Sequence, residues 1–235
     1  IERRSKYLIF FFNNKMLLVH LGMTGKFLFI RNKDNKKFKT SFYYDLNISE
    51  KHNHIYFVLN NGFTLVYNDV RRFGYFKFYN HTRIKNIEFL ANLGPEPFSK
   101  SFNLKYFKNY TINKKKNIKN LLMDQHFVSG LGNIYVNEIL FMSKINPIRF
   151  CNNLSPKEID ILIKFTKQIL KNSIKLGGSS IKDFKDILGK NGTFQKSFKV
   201  YGRVNEPCAR TFCKGKIKKL TISSRSSFYC DKCQR

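Results

Sequence analysis

Residues 121–144 read LLMDQHFVSGLGNIYVNEILFMSK, and the fold turns on how the middle of this stretch is interpreted. Leu121, Leu122 and Met123 close one apolar segment. Ile134, Tyr135, Ile139, Leu140 and Met142 follow at mostly helical spacing. Between them lies Ser129-Gly130-Leu131-Gly132-Asn133. Two glycines suit a chain that must end one helix and begin another. Helix, tight turn, helix is the expectation, with Asn133 at or near the start of the second helix. Free backbone N–H groups at such a start attract phosphate, and an amide side chain adds a donor. From spacing alone, an ordinary helical hairpin in a core is the commoner meaning.

The charge balance narrows the partner. Lys and Arg number 44 against 15 Asp and Glu, a net charge of +29. Self-repulsion at that level makes sense when the partner is a polyanion, which favours nucleic acid. An anionic membrane is the competitor, but no lysine-rich amphipathic helix with a clean apolar face stands out. No apolar run reaches the length of a membrane span. Asn is abundant too and carries no charge, so part of the lysine content reflects skewed composition. Hydrophobic residues make up 42 %, enough for a folded core. Of the five cysteines, four lie at position 208 or beyond, which argues against a secreted disulfide framework. Cys151 stands alone and reads as a buried thiol. With no signal peptide at its start, the chain is expected to be intracellular: cytoplasmic, nucleoid-associated and monomeric.

Working outward, residues 7–12 and 16–30 read as strands and turns, and residues 55–59 and 63–67 flank the hairpin signal Asn60-Asn61-Gly62. Gly74 to Tyr79 adds a strand, giving a mostly antiparallel sheet or sandwich. The polar, lysine-rich segment 31–53 is expected to be a surface loop. Downstream, Lys114-Lys115-Lys116 precedes the central stretch; it is a solvated face or a phosphate clamp. Ser155-Pro156-Lys157-Glu158 is a capping box, with a packing helix to about residue 176 ended by Gly177-Gly178. Ile159, Leu162, Ile163, Thr166, Ile169 and Leu170 would face inward. Residues 178–192, flanked by glycines, could form a mobile loop. The tail carries Cys208-x4-Cys213-x16-Cys230-x2-Cys233, a spacing suited to a closed tetrahedral zinc site.

The segment MDQHFVSGLGNIYVNEILF resembles the helix–two-turn–helix motif of the formamidopyrimidine-DNA glycosylase family. KYLIFF, HLGMTG, DVRRFGYF, LGPEP, KVYGR and the final cysteine cluster resemble further family blocks, in family order and across essentially the whole chain. The resemblance implies an α+β protein: an antiparallel β-sandwich over residues 1–100, a helical helix–two-turn–helix domain over 101–199, and a zinc-finger hairpin over 200–235. It implies one Zn2+ per chain on Cys208, Cys213, Cys230 and Cys233, although the family has two residues, not four, between the first two cysteines.

It also implies roles at the DNA. Lys6 would contact phosphate and assist β-elimination; Arg225 would reach the lesion phosphate and assist δ-elimination. Met23 would fill the gap left when a base leaves the stack, with Arg71 hydrogen-bonding the orphaned opposite base and Phe73 stacking beside it. The family usually has proline where this chain has Val70. His52, Lys114 and Asn133 would contact DNA phosphate, and Lys190 the flipped base. By chemistry alone each has a plainer meaning: solvated lysines and histidines, a core Met, a surface Arg-Arg-Phe edge.

The family removes oxidised purines from double-stranded DNA through an amino-terminal proline that attacks the sugar, with an adjacent glutamate handling protons. The sequence opens instead at Ile1-Glu2-Arg3-Arg4. The expectation is therefore a glycosylase–lyase whose nucleophile segment lies outside these residues, the chain as it stands failing to excise 8-oxoguanine and at most nicking abasic sites slowly. The alternatives are a non-catalytic damaged-DNA-binding remnant, a related glycosylase for oxidised pyrimidines, or an RNA-binding zinc ribbon, the last disfavoured by the Met/Arg/Phe set.

Overall fold

The computed structural model of the protein describes residues 1–38, 49–80, 83–179 and 194–235. They form two compact units, Ile1–Arg83 with Ser173–Ser197 and Ile84–Asn172 with Phe198–Arg235.

The first unit is a β-sandwich. Strands β1 (Glu2–Arg4), β2 (Tyr7–Phe11), β3 (Met16–His20), β4 (Lys26–Arg31), β5 (Lys36–Phe38), β6 (Asn53–Val58), β7 (Phe63–Asn68) and β8 (Tyr75–Tyr79) make two antiparallel sheets, ordered β1-β2-β3-β8 and β5-β4-β7-β6. The unbroken apolar run Met16-Leu17-Leu18-Val19 puts both faces of β3 out of water. Between the sheets sits an aromatic core centred on Phe27. Its ring lies 5.8–6.3 Å from those of Phe10, Phe57, Tyr67 and Phe76 in edge-on geometry. Gly62, at φ +80°, closes the β6–β7 hairpin as its sequence predicts. The expected loop at 31–53 is partly strand. Arg31 pairs with Lys36 to form a tight β4–β5 hairpin, because the backbone along β4 has hydrogen-bonding groups to satisfy on both sides. Glu50–His52 forms a 3-10 turn, and residues 39–48 lie outside the described ones.

The second unit is helical, with a terminal hairpin. It contains α1 (Glu88–Ala91), α2 (Leu104–Thr111), α3 (Ile118–Met123), α4 (Asn133–Met142), most of α5 (Pro156–Lys175), and strands β9 (Ile217–Ile222) and β10 (Arg225–Cys230). Asn103 and Asn117 cap α2 and α3 by accepting from Tyr106 and Asn120 N–H. The capping box forms at α5: Ser155 N–H donates to Glu158 Oε2 at 2.8 Å and Glu158 N–H to Ser155 Oγ at 3.3 Å. Gly177 and Gly178, both in the left-handed region, donate to Ile174 and Ser173 carbonyls, the Schellman ending. Ile159, Leu162, Ile163, Thr166 and Ile169 are buried as expected; Leu170 is only half-buried, and Ser173 takes the next interior position.

Candidate functional site

One side chain ties the turn between α3 and α4 to both helices. Gln125 accepts from Gly130 N–H at 2.8 Å and donates to the carbonyls of Met123 and Leu131 at 3.0 and 3.1 Å, tying both helix ends to the connection. Gly130 takes φ +90°, which only glycine adopts cheaply. The LGPEP block packs on this turn: a Cβ on Gly94 would lie 2.4 Å from Phe127 O, and Ser129 N–H donates to Pro95 O. Asn133 is the first residue of α4, after Gly132. Its amide donates to Ser226 O at 3.1 Å, so it joins the helix start to the β9–β10 hairpin.

That hairpin carries Arg225 at its tip. Ile222 pairs with Arg225, leaving Ser223 and Ser224 as a two-residue turn at φ +47° and +60°. Immediately behind Arg225, Lys119 of α3 is 1 % exposed and donates from Nζ to Ser226 O at 2.9 Å and to Ser227 Oγ. Burial, and then the nearby Arg225 cation, lower the Lys119 pKa to about 8. Asn137 of α4 accepts from Phe228 N–H. Three polar side chains from two helices therefore fasten consecutive residues of β10.

Of the three lysines, Lys114 is exposed, its ammonium 3.5 Å from the Tyr110 ring centroid. Lys115 is exposed, and Lys116 pairs with Asp124 at 2.7 Å. Cys151 is buried, donating to Lys114 O at 3.3 Å.

The four terminal cysteines converge. Their sulfurs all lie within 4.8 Å of one another, with Cys208–Cys233 at 3.8 Å and Cys213–Cys230 at 3.7 Å. Zn–S bonds of about 2.3 Å in a tetrahedron put sulfurs about 3.8 Å apart, so the set fits one zinc ion. Cys208 and Cys230 are buried against Phe141, Val200, Ile217 and Phe228. A Cβ on Gly215 would lie 2.5 Å from Cys230 Sγ. The four-residue first knuckle is accommodated by two devices. Arg210 donates to the carbonyls of Phe141 and Met142, at 2.7 and 2.9 Å, which end α4. Phe212 turns outward at φ +64°, fully exposed. The KVYGR block is docked by buried Glu138, whose carboxylate accepts from the N–H groups of Lys199, Val200 and Tyr201.

In the sandwich unit, the HLGMTG and DVRRFG turns meet. Met23 and Phe73 are 58 % and 57 % exposed. The Arg71 guanidinium lies 3.5 Å from Met23 Sδ and 4.7 Å from the Phe73 ring centroid, so the three side chains form one exposed cluster. The turns approach closely because glycines allow it. A Cβ on Gly22 would meet Phe73 backbone at 2.7 Å, and one on Gly25 or Gly74 would strike the Tyr67 hydroxyl at 2.5 or 1.7 Å. Beneath them Asp69 is wholly buried, its carboxylate accepting from Thr24, Tyr67, Arg71 N–H and Gly74 N–H. Burial opposes its charge, but these four donors outweigh it and hold the carboxyl below its usual range. Val70, where the resemblance expects proline, is exposed.

Lys6 is exposed in the β1–β2 turn. Behind it His20, whose pKa is lowered by burial and then by Lys6, accepts at Nδ1 from Gly22 N–H at 3.0 Å. His52 is half-buried in its 3-10 turn, its carbonyl accepting from Asp69 N–H. His54, in β6, donates from Nε2 to Asp69 O at 2.8 Å. Lys190 lies outside the described residues.

The sequence matches three family models in order: the formamidopyrimidine-DNA glycosylase N-terminal domain over residues 1–76, its H2TH domain over 93–185, and the zinc finger found in FPG and IleRS over 205–235. The chain belongs to the formamidopyrimidine-DNA glycosylase family. It is 38 % identical to the formamidopyrimidine-DNA glycosylase of Streptococcus mutans and 42 % to that of Rickettsia bellii, each match covering all of this chain and 81 % of the relative. Among solved structures it is similar to Lactococcus lactis Fpg in complex with abasic-site DNA (TM-score 0.84, 34 % identity). It is also similar to MutM in complex with carbocyclic 8-oxo-G DNA (TM-score 0.83, 35 % identity), and both matches span all of this chain and 80 % of the other. Gln125, Lys119 and Glu138 are residues that sequence reading missed, and Asp69 lay in the quoted DVRRFGYF block without its bracing role being read. Lys119 left one faint signal, a lysine within the apolar run Ile118–Met123. No helix among the described residues is long and apolar enough to cross a membrane.

Proposed function

We propose that this protein is a base-excision repair enzyme that removes oxidised purines, 8-oxoguanine and formamidopyrimidines, from duplex DNA and cleaves the resulting abasic site by β- and δ-elimination. The observation that carries the proposal is the exposed Met23–Arg71–Phe73 cluster on a rigid, glycine-packed base. A Met and a Phe more than half exposed side by side offer an apolar surface that a partner can cover. Together they suit the space left by an extruded base: the thioether fills the gap, the guanidinium bonds the orphaned base, and the ring stacks.

In the chemistry, an amine attacks C1′ of the lesion sugar and the base leaves with the bonding electron pair and takes up a proton; the C1′–O4′ bond then breaks, O4′ taking a proton as the sugar ring opens, which leaves a Schiff base. Loss of a C2′ proton then expels the 3′ phosphate, and a second elimination expels the 5′ phosphate. Lys6 and Arg225 are the cations assigned to those phosphates, with His52, Lys114 and Asn133 holding the flanking backbone and Lys190 the flipped base. An α-amine, unlike lysine, is appreciably unprotonated near neutral pH. By the resemblance to the family, the nucleophile is assigned to an amino-terminal proline followed by glutamate. Cys208, Cys213, Cys230 and Cys233 would hold the zinc ion and, through it, the hairpin that presents Arg225.

The test is release of free base from duplexes carrying one 8-oxoguanine, by the zinc-loaded chain preceded by a Pro-Glu opening. Release with strand scission supports the proposal. Tight lesion binding without release would instead support a damaged-DNA-binding protein, and preferential release of oxidised pyrimidines a related glycosylase.

A further inference from the structure

The two wedge loops lie 45 residues apart in sequence but converge on one carboxylate. Asp69 Oδ1 accepts from the Thr24 hydroxyl and from Arg71 N–H at 3.2 Å; Oδ2 accepts from the Tyr67 hydroxyl at 2.8 Å and from Gly74 N–H at 3.0 Å. Thr24 follows Met23, while Arg71 and Gly74 bracket the arginine–phenylalanine turn. Thr24 Oγ1 itself accepts from Arg71 N–H at 3.2 Å, a direct stitch between the loops. The Asp69 main chain is fixed as well, its N–H donating to His52 O and its carbonyl accepting from His54. With no exposed surface, Asp69 cannot touch DNA.

We propose that Asp69 is a positioning residue for reading the base opposite the lesion: its carboxylate locks the Met23 loop and the Arg71–Phe73 loop into one unit, so that gap filling and opposite-base recognition occur together. The inference rests on the wedge reading above. Chemistry limits what could replace Asp69. Each of its oxygens serves one hydroxyl and one backbone N–H. An asparagine amide, whichever way it is placed, sets its NH2 against a backbone N–H that cannot reverse. Glutamate is one methylene too long for a site already in contact with Tyr67. The coupling predicts that a change on the Met23 loop degrades a function of Arg71 without touching Arg71.

The experiment compares the wild-type chain with Asp69→Asn, Thr24→Val, Thr24→Ser and Arg71→Ala. Binding is measured to undamaged duplex and to four duplexes with a tetrahydrofuran abasic analogue, differing only in the opposite base. Arg71→Ala should flatten the spread of affinities across the four bases. Asp69→Asn and Thr24→Val should flatten it too, weakening the best-bound duplex about tenfold, the effect of losing one hydrogen bond to a charged acceptor. Affinity for undamaged duplex should hold, and Thr24→Ser, which keeps the hydroxyl, should restore the spread. Should Asp69→Asn fail to fold, Thr24→Val decides alone, since it removes one partly buried hydroxyl at near-constant volume. A flattened spread in Arg71→Ala but a full spread in Thr24→Val overturns the inference and leaves the wedge standing. A full spread in Arg71→Ala overturns the wedge reading itself.

Discussion

Replacing Lys119 by methionine should separate stability from function. Two energies oppose each other at this site. An ammonium whose pKa falls from 10.5 to about 8 carries its charge in the folded protein at a cost of about 3 kcal/mol. Methionine, also unbranched and of similar length, removes that cost. Against it stand the hydrogen bonds. Ser226 O keeps its second donor, Asn133, but the Ser227 hydroxyl is wholly buried and loses Lys119. Orphaning it costs about 1–3 kcal/mol. The terms nearly cancel, so Lys119→Met should unfold in urea within about 1 kcal/mol of wild type at pH 7. The sign with pH follows from the lowered pKa. The unfavourable charge is fully present below pH 8 and is relieved as pH rises from about 8 towards 10.5, so wild type should gain on the variant over that window. Function behaves differently, because the residue behind Arg225 has lost its tie to α3. Affinity for a tetrahydrofuran duplex should fall about tenfold. Destabilisation beyond about 3 kcal/mol would refute the cancellation, and undiminished affinity would refute the link between Lys119 and Arg225.

Further outcomes follow from other parts of the fold. Arg149, then Ser155, hold the Glu158 carboxyl at about 2 despite partial burial. This contribution is present above the usual glutamate range and is lost as pH falls towards 2, so the acid transition of Glu158→Gln should be shallower than that of wild type. Ser224, at φ +60° in the β9–β10 turn, should gain about 1 kcal/mol of stability on conversion to glycine, read as a rise of a few degrees in Tm. Purified protein reconstituted under reducing conditions should hold one zinc per chain by elemental analysis, and Cys208→Ser should lower that content while weakening DNA binding through the hairpin.

What could be read in the sequence was what is local. The hairpin at Asn60-Asn61-Gly62, the Ser155–Glu158 capping box and the Gly177-Gly178 stop are each fixed by a few adjacent residues, and the structure forms all three. The cysteine set was legible because metal chemistry constrains spacing. How the longer first knuckle is held was not, because Arg210 reaches α4 carbonyls some 70 residues away in sequence. The same holds for Glu138, for Lys119 and for the Thr24 contact of Asp69, whose partners are brought close only by folding. Gln125 bonds to residues close to it in sequence, but no periodicity marks it. Strand β5 was missed because lysines mask a strand whose pairing is set by its neighbour β4.

A covalent protein–DNA intermediate is the most direct mark of a glycosylase–lyase. Sodium borohydride should trap a protein–DNA adduct when a duplex bearing one 8-oxoguanine meets the chain preceded by a Pro-Glu opening, and mass spectrometry should place the bond at the amino-terminal amine rather than at Lys6. Failure to trap any adduct, with binding to abasic duplexes intact, would contradict a glycosylase–lyase and leave a protein that only recognises damaged DNA.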